Sequence, residues 1–149
     1  MAGRVTLVSG GGGEIGGAIA QLFATEGAAV AVADIDPAKS DVVARAIRDN
    51  GGRAKSLVVD VANAASAEAA VTGTIEAFGK LTTLVNVAAA VTPDGTVETL
   101  SLEQWNNAIA VNLTGAFLIC KFAVPQMRRT GPRPPQMQRI PLSLPLSKS

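Results

Sequence analysis

Val5-Thr6-Leu7-Val8-Ser9-Gly10-Gly11-Gly12-Gly13-Glu14-Ile15-Gly16-Gly17-Ala18-Ile19-Ala20 sets the rest of the chain in order. Its first four residues are mostly apolar, read as a buried strand, and run straight into a glycine turn. Past the turn, Ile15, Ala18, Ile19, Leu22 and Phe23 recur at helical spacing. Strand, glycine turn and helix form the front end of a dinucleotide-binding βαβ unit. Glycine serves there because the backbone must turn sharply and admit a pyrophosphate where a Cβ would block it. Unpaired N–H groups at the helix start then bind the anion, helped by the helix dipole. A flexible glycine loop is the competing reading of the same residues.

The chain has 149 residues, which bounds it to one domain. A chain of that size buries about 68–70% of its surface, enough for a core. Hydrophobic residues are 48% and charged residues 17%, so a globular fold is expected. No apolar run approaches the roughly 20 residues of a membrane helix, and Met1-Ala2-Gly3-Arg4 lacks the apolar region of a signal peptide. The single cysteine, Cys120, cannot form an internal disulfide. A cytoplasmic protein with no membrane or nucleic-acid partner is therefore expected. The absence of histidine excludes His-based catalysis and argues against a metal site. There is no tyrosine either. Net charge is −5 over residues 1–103 and +6 over residues 104–149, so the chain changes character late.

In order, the glycine turn and first helix lead through Gly27 to a second strand, Ala28 to Ala33, which ends at Asp34. A doubly wound sheet places an acid there to accept hydrogen bonds from the adenosine ribose. A carboxylate also repels a 2′-phosphate, which favours NAD over NADP. The rival reading of Asp34 is a turn residue, because Asp36 as N-cap and Pro37 at the first helical position explain the next helix without it. That second helix is expected from Pro37 to Asn50, stopped by Gly51-Gly52. A third strand, Ala54 to Val59, ends in Asp60-Val61. Ser66 is read as the cap of a third helix that turns Val71, Ile75 and Phe78 to one face and ends at Gly79. A fourth strand, Leu81 to Val85, reaches Asn86. Helices alternating with short apolar strands predict a parallel sheet with right-handed crossovers. Pro93-Asp94-Gly95 marks a turn within the loop 87–100. Ser101-Leu102-Glu103-Gln104 is a capping-box pattern. It opens a long helix, about 102 to 124, with Trp105, Ile109, Leu113, Phe117 and the Lys121 stem on one side. Asn112 lies near that stripe, as a functional amide or as a structural bridge.

Over roughly residues 3–131 these features resemble the short-chain dehydrogenase/reductase family. Ser9-Gly10 through Ile15-Gly16 stands where the family has its glycine loop, and Asp34 matches its cofactor-selecting acid. Asp60-Val61 matches the pair beside the adenine ring. Asn86-Val87-Ala88-Ala89 resembles the Asn-Asn-Ala-Gly segment after strand four, and Val111-Asn112-Leu113-Thr114-Gly115 the segment with the catalytic asparagine. The resemblance implies an α/β, Rossmann-type doubly wound sheet in three αβα layers, incomplete at about four strands. It implies hydride transfer between an alcohol or carbonyl substrate and a nicotinamide cofactor, NAD preferred. Ser9, Gly10, Gly13, Ile15, Gly16, Asp34, Asp60, Val61, Asn86 and Ala88 are then the cofactor-binding positions, and Asn112 the catalytic one.

The chain departs from the family at two places. Glu14 replaces the middle glycine of the classical loop, and Gly10-x-x-Gly13-x-x-Gly16 also fits the extended, epimerase-like branch. After the long helix the family continues with a strand bearing a catalytic serine and a Tyr-x-x-x-Lys helix. This chain continues instead with a Pro/Arg/Ser-rich stretch, residues 132–149, holding five prolines and expected to be disordered. A reading frame lost near Gly131 accounts for the switch. Translating the other two frames tests that, and absence of the Tyr-x-x-x-Lys pattern from both refutes it. A non-catalytic dinucleotide-binding module, or an unproductive fragment, is the alternative function. With the sheet ending at strand four, a bare apolar edge and self-association are expected.

Overall fold

The computed structural model describes residues 1–91 and 96–130. Pro93-Asp94-Gly95 and the stretch 132–149 lie outside the described residues. The elements alternate: β1 (Val5–Ser9), α1 (Glu14–Thr25), β2 (Ala29–Asp34), α2 (Pro37–Asp49), β3 (Arg53–Val58), α3 (Ala64–Phe78) and β4 (Thr83–Asn86). Then come α4 (Leu102–Ile109), a π-helical segment (Ala110–Gly115) and α5 (Ala116–Thr130), continuous in the chain. The strands pair in the order β3-β2-β1-β4, all parallel.

β1 and β2 are near-continuous apolar runs because both their faces are covered. Alternate side chains serve opposite layers. Leu7, Ala31 and Ala33 pack with Val71 of α3 and Ile119 and Ala123 of α5. Val8, Val30 and Val32 pack with Ala20 of α1 and Val43, Ala44 and Ile47 of α2. Burying a side chain the size of Ile119 stabilises the fold by about 1.5–3 kcal/mol. The result is the three-layer, doubly wound sheet predicted for the chain.

Several local readings hold. The Asp36 carboxylate accepts from Ala38 and Lys39 N–H with Pro37 next to it. Gly27, Gly51 and Gly79 follow their helices at φ of +85, +79 and +79°. In the capping box, Ser101 Oγ accepts from Gln104 N–H and Gln104 Oε1 accepts from Ser101 N–H.

Other readings are corrected. Asn63, not Ser66, caps α3: Asn63 Oδ1 accepts from Ser66 N–H, while Ser66 Oγ accepts from Asp60 N–H. β3 begins and ends one residue earlier than predicted. β4 begins at Thr83 rather than Leu81. Thr82 precedes it, its hydroxyl accepting from Val5 N–H and donating to Val5 C=O at 2.9 Å. On α1 the buried face is Gly16, Gly17 and Ala20, while Ile15 and Leu22 face outward. Small residues let that helix sit against the glycine turn where larger ones would hold it off.

The last helical run extends to Thr130, six residues beyond the predicted end, and carries Pro125 inside α5. Its 29 residues, Leu102–Thr130, are long and apolar enough to cross a membrane by length and composition, which corrects the expectation that no such run exists. Here Ile119 and Ala123 serve the sheet core. The predicted stripe is the outward side: Trp105 is 54% exposed, Leu113 65% and Phe117 61%.

Candidate dinucleotide site

Parallel pairing in register brings the carboxyl ends of the strands to one edge, with Ser9 beside both Ala33 and Asn86. Ligands of open α/β sheets bind outside those ends, where the strand order reverses. A cleft of about 610 Å³ opens there. Its floor is the glycine turn and the start of α1, and its walls are the segments that follow β2, β3 and β4.

Of the three glycines that line the cleft, Gly10 and Gly16 have no room for a side chain. Gly10 leaves β1 at φ +71°, and a Cβ there would stand 2.6 Å from Ala88 N. A Cβ on Gly16 would overlap the Gly10 carbonyl oxygen and come within 2.8 Å of its carbon. Gly13 is the N-cap of α1 and supplies no side-chain acceptor. First-turn N–H groups of a helix have no partner within it, so Glu14, Ile15 and Gly16 bring donors to the cleft wall.

Asp34 takes the turn role weighed for it and also borders the cleft. Its Oδ2 accepts from Gly12 N–H at 2.9 Å and its Oδ1 from Asp36 N–H at 3.0 Å. The carboxylate thus braces the glycine turn and the start of α2 while bordering the cleft. Asp60 also borders it, its Oδ1 accepting from Ala62 N–H at 2.9 Å. Val61 is buried, and Gly115 lies so close that a Cβ there would meet Val61 Cγ2 at 2.7 Å.

Of the positions expected to bind cofactor, Gly10, Gly13, Ile15, Gly16, Asp34, Asp60, Val61 and Ala88 line the cleft. Ser9, which is buried, and Asn86, which is exposed, do not line it. The Ser9 hydroxyl donates to Asn86 Oδ1 at 2.5 Å and ties the ends of β1 and β4 together. Asn112, exposed and in the π-helical segment, is not a lining residue either. Its Oδ1 accepts from Ala90 N–H at 2.8 Å and its Nδ2 donates to Ala90 C=O at 3.0 Å. One amide therefore holds the segment after β4 against the helix. Asn112→Ala is expected to cost about 1–2 kcal/mol, from the loss of two partly solvated hydrogen bonds. It should also speed hydrogen exchange at Ala90 N–H while leaving exchange in β1 unchanged. Denaturant unfolding and amide exchange check this.

Sequence reasoning missed Ile35, Ala90, Val91, Asn107 and Val111, all of which line the cleft. Asn107 and Val111 stand four positions apart, the spacing of one helix face. That signal was present but pointed away from the larger apolar stripe.

The sequence and fold agree with known proteins. A family model described as enoyl-(acyl carrier protein) reductase matches residues 12–132. The chain belongs to the short-chain dehydrogenase/reductase family. As a member of the family it is 42% identical over 131 residues to 2,5-dichloro-2,5-cyclohexadiene-1,4-diol dehydrogenase LinX of Sphingobium indicum, covering 88% of this chain and 52% of that protein. It is 36% identical over 129 residues to D-threitol dehydrogenase of Mycolicibacterium smegmatis, covering 87% and 49%. The crystal structure of hydroxysteroid dehydrogenase from Escherichia coli superposes with a TM-score of 0.81 at 28% identity, over 87% of this chain and 55% of that one. The chain thus spans about half the length of the curated relatives it matches. Dehydrogenases of this family use nicotinamide cofactors, NAD or NADP. The glycine cradle and the uncapped start of α1 fit the pyrophosphate of such a group.

Proposed function

We propose that this chain is the dinucleotide-binding part of a nicotinamide-dependent oxidoreductase acting between alcohols and carbonyls, with NAD preferred over NADP. The observation that carries the reading is Asp34. Its carboxylate is held at the end of β2 by Gly12 and Asp36 N–H groups and borders the cleft. A fixed carboxylate there accepts from two ribose hydroxyls and repels a 2′-phosphate. The cofactor, when bound, supplies the hydride chemistry. Gly10, Gly13 and Gly16 admit the pyrophosphate, α1 offers it backbone donors, and Asp60 and Val61 flank the adenine side. Ala88, together with Ala90 held by Asn112, forms the wall on the nicotinamide side.

Proton transfer to a substrate oxygen requires an acid. The chain contains no tyrosine or histidine, and the role proposed for it is holding the dinucleotide. Titrating the protein with NADH, followed by energy transfer from its single tryptophan, Trp105, tests this. Saturable NADH binding, weaker for NADPH, is the expected result. Absence of binding by a folded sample refutes the proposal.

A further inference from the structure

We propose that Glu14 is an electrostatic brake on the dinucleotide site, so that cofactor affinity rises with ionic strength. The proposal rests on the dinucleotide reading above and concerns the strength of binding at that same cleft. The charged residues bordering the cleft are Glu14, Asp34 and Asp60, and no lysine or arginine borders it among the described residues. A pyrophosphate brings two negative charges to this acidic surface.

The three carboxylates differ. Asp34 and Asp60 are engaged by backbone N–H groups. Glu14 forms no ion pair among the described residues. It is the first residue of α1, directly after the uncapped Gly13, where the anion would take the first-turn donors. The helix dipole attracts the carboxylate and the anion to the same positive end, so the two compete there. None of the bases on α2 borders the cleft. Lys39 lies 4.0 Å from Asp36, and Arg45 and Arg48 both pair with Asp41.

Salt separates the competing terms. The screening length falls from about 30 Å at 0.01 M to about 3 Å at 1 M, so repulsion across the cleft weakens with salt. Hydrogen bonds from the backbone to phosphate act at contact and are screened far less. An anion site built on lysine loses affinity as salt is added, and this one gains it.

The experiment is the NADH titration on the full chain at about 10 mM and about 500 mM ionic strength, spanning the range of screening lengths. Wild type is compared with Glu14→Gln, which removes the charge at nearly unchanged helix propensity. Wild-type binding is expected to tighten at least about threefold at high salt, as the repulsion is screened. Glu14→Gln is expected to bind about tenfold tighter than wild type at low salt and to lose most of the salt response. Wild-type affinity that falls with salt overturns the proposal, as does a Glu14→Gln constant within about twofold of wild type at low salt, a gap too small for an interaction of this kind. If the variant fails to fold by circular dichroism, the wild-type salt series decides alone. No saturable binding by folded wild type at either salt refutes the dinucleotide reading itself.

Discussion

Gly16→Ala is expected to abolish saturable NADH binding and to lower stability by about 1–3 kcal/mol, the usual cost of forcing atoms into a packed site. The added Cβ would overlap the Gly10 carbonyl oxygen and lie 2.8 and 2.9 Å from Gly10 C and Gly11 Cα. All three obstacles are backbone atoms of the glycine turn, so no side-chain rotation relieves the clash. Either α1 retreats from the turn or the turn itself is displaced, and both move the donors away from the pyrophosphate. Gly51→Ala is the matched control. Gly51 sits at φ +79° with nothing within 4 Å of the position a methyl would take, so the substitution costs about 1–2 kcal/mol of left-handed strain and should leave NADH binding intact. Denaturant unfolding of both variants, with parallel NADH titrations, separates lost stability from lost binding. Gly16→Ala with wild-type affinity would show that the turn does not cradle the pyrophosphate.

Asp34→Ala is expected to weaken NADH binding by at least about tenfold, because hydrogen bonds to a charged acceptor contribute about 1.5–3 kcal/mol each. It also removes the acceptor for Gly12 and Asp36 N–H, so a stability loss of about 1–2 kcal/mol should accompany it. The comparison with NADPH gives the cleaner result. Removing the carboxylate removes its repulsion of a 2′-phosphate, so NADPH binding should hold or improve while NADH binding falls. A purely structural Asp34 would lower both affinities together. Titration of each cofactor against wild type and variant distinguishes these outcomes.

What could be read from the sequence was what is encoded within a few residues. The Ser101–Gln104 capping box, Asp36 before Pro37 and the three glycines after α1, α2 and α3 each satisfy local backbone groups or local φ requirements. The βαβ order follows from the same economy, because buried parallel strands are continuous apolar runs. Asp34 was legible as an acid at a strand end. Its partners were less so, since Gly12 lies 22 positions earlier.

Misread features share a cause. Periodicity shows that a helix has faces and leaves open which one docks. Ile15 and Leu22 recur at helical spacing, yet the buried residues of α1 are Gly16, Gly17 and Ala20. The sequence aligned Trp105 to Phe117 on one side of the last helix without saying which way it faces; it points outward while Ile119 and Ala123 meet the sheet.

By itself the sequence determined the order of elements, the Asp36 and Ser101 caps, the glycine stops after α1, α2 and α3, and the glycine turn, because each depends on neighbours three or four residues away. Only the tertiary structure decided which residues meet. Ser9 finds Asn86 across 77 positions, and Asn112 finds Ala90 across 22. Asn107 and Val111 reach a cleft begun by Gly10. Those meetings depend on how closely α1 and the last helices approach the sheet, and that distance is set by contacts between side chains far apart in the chain.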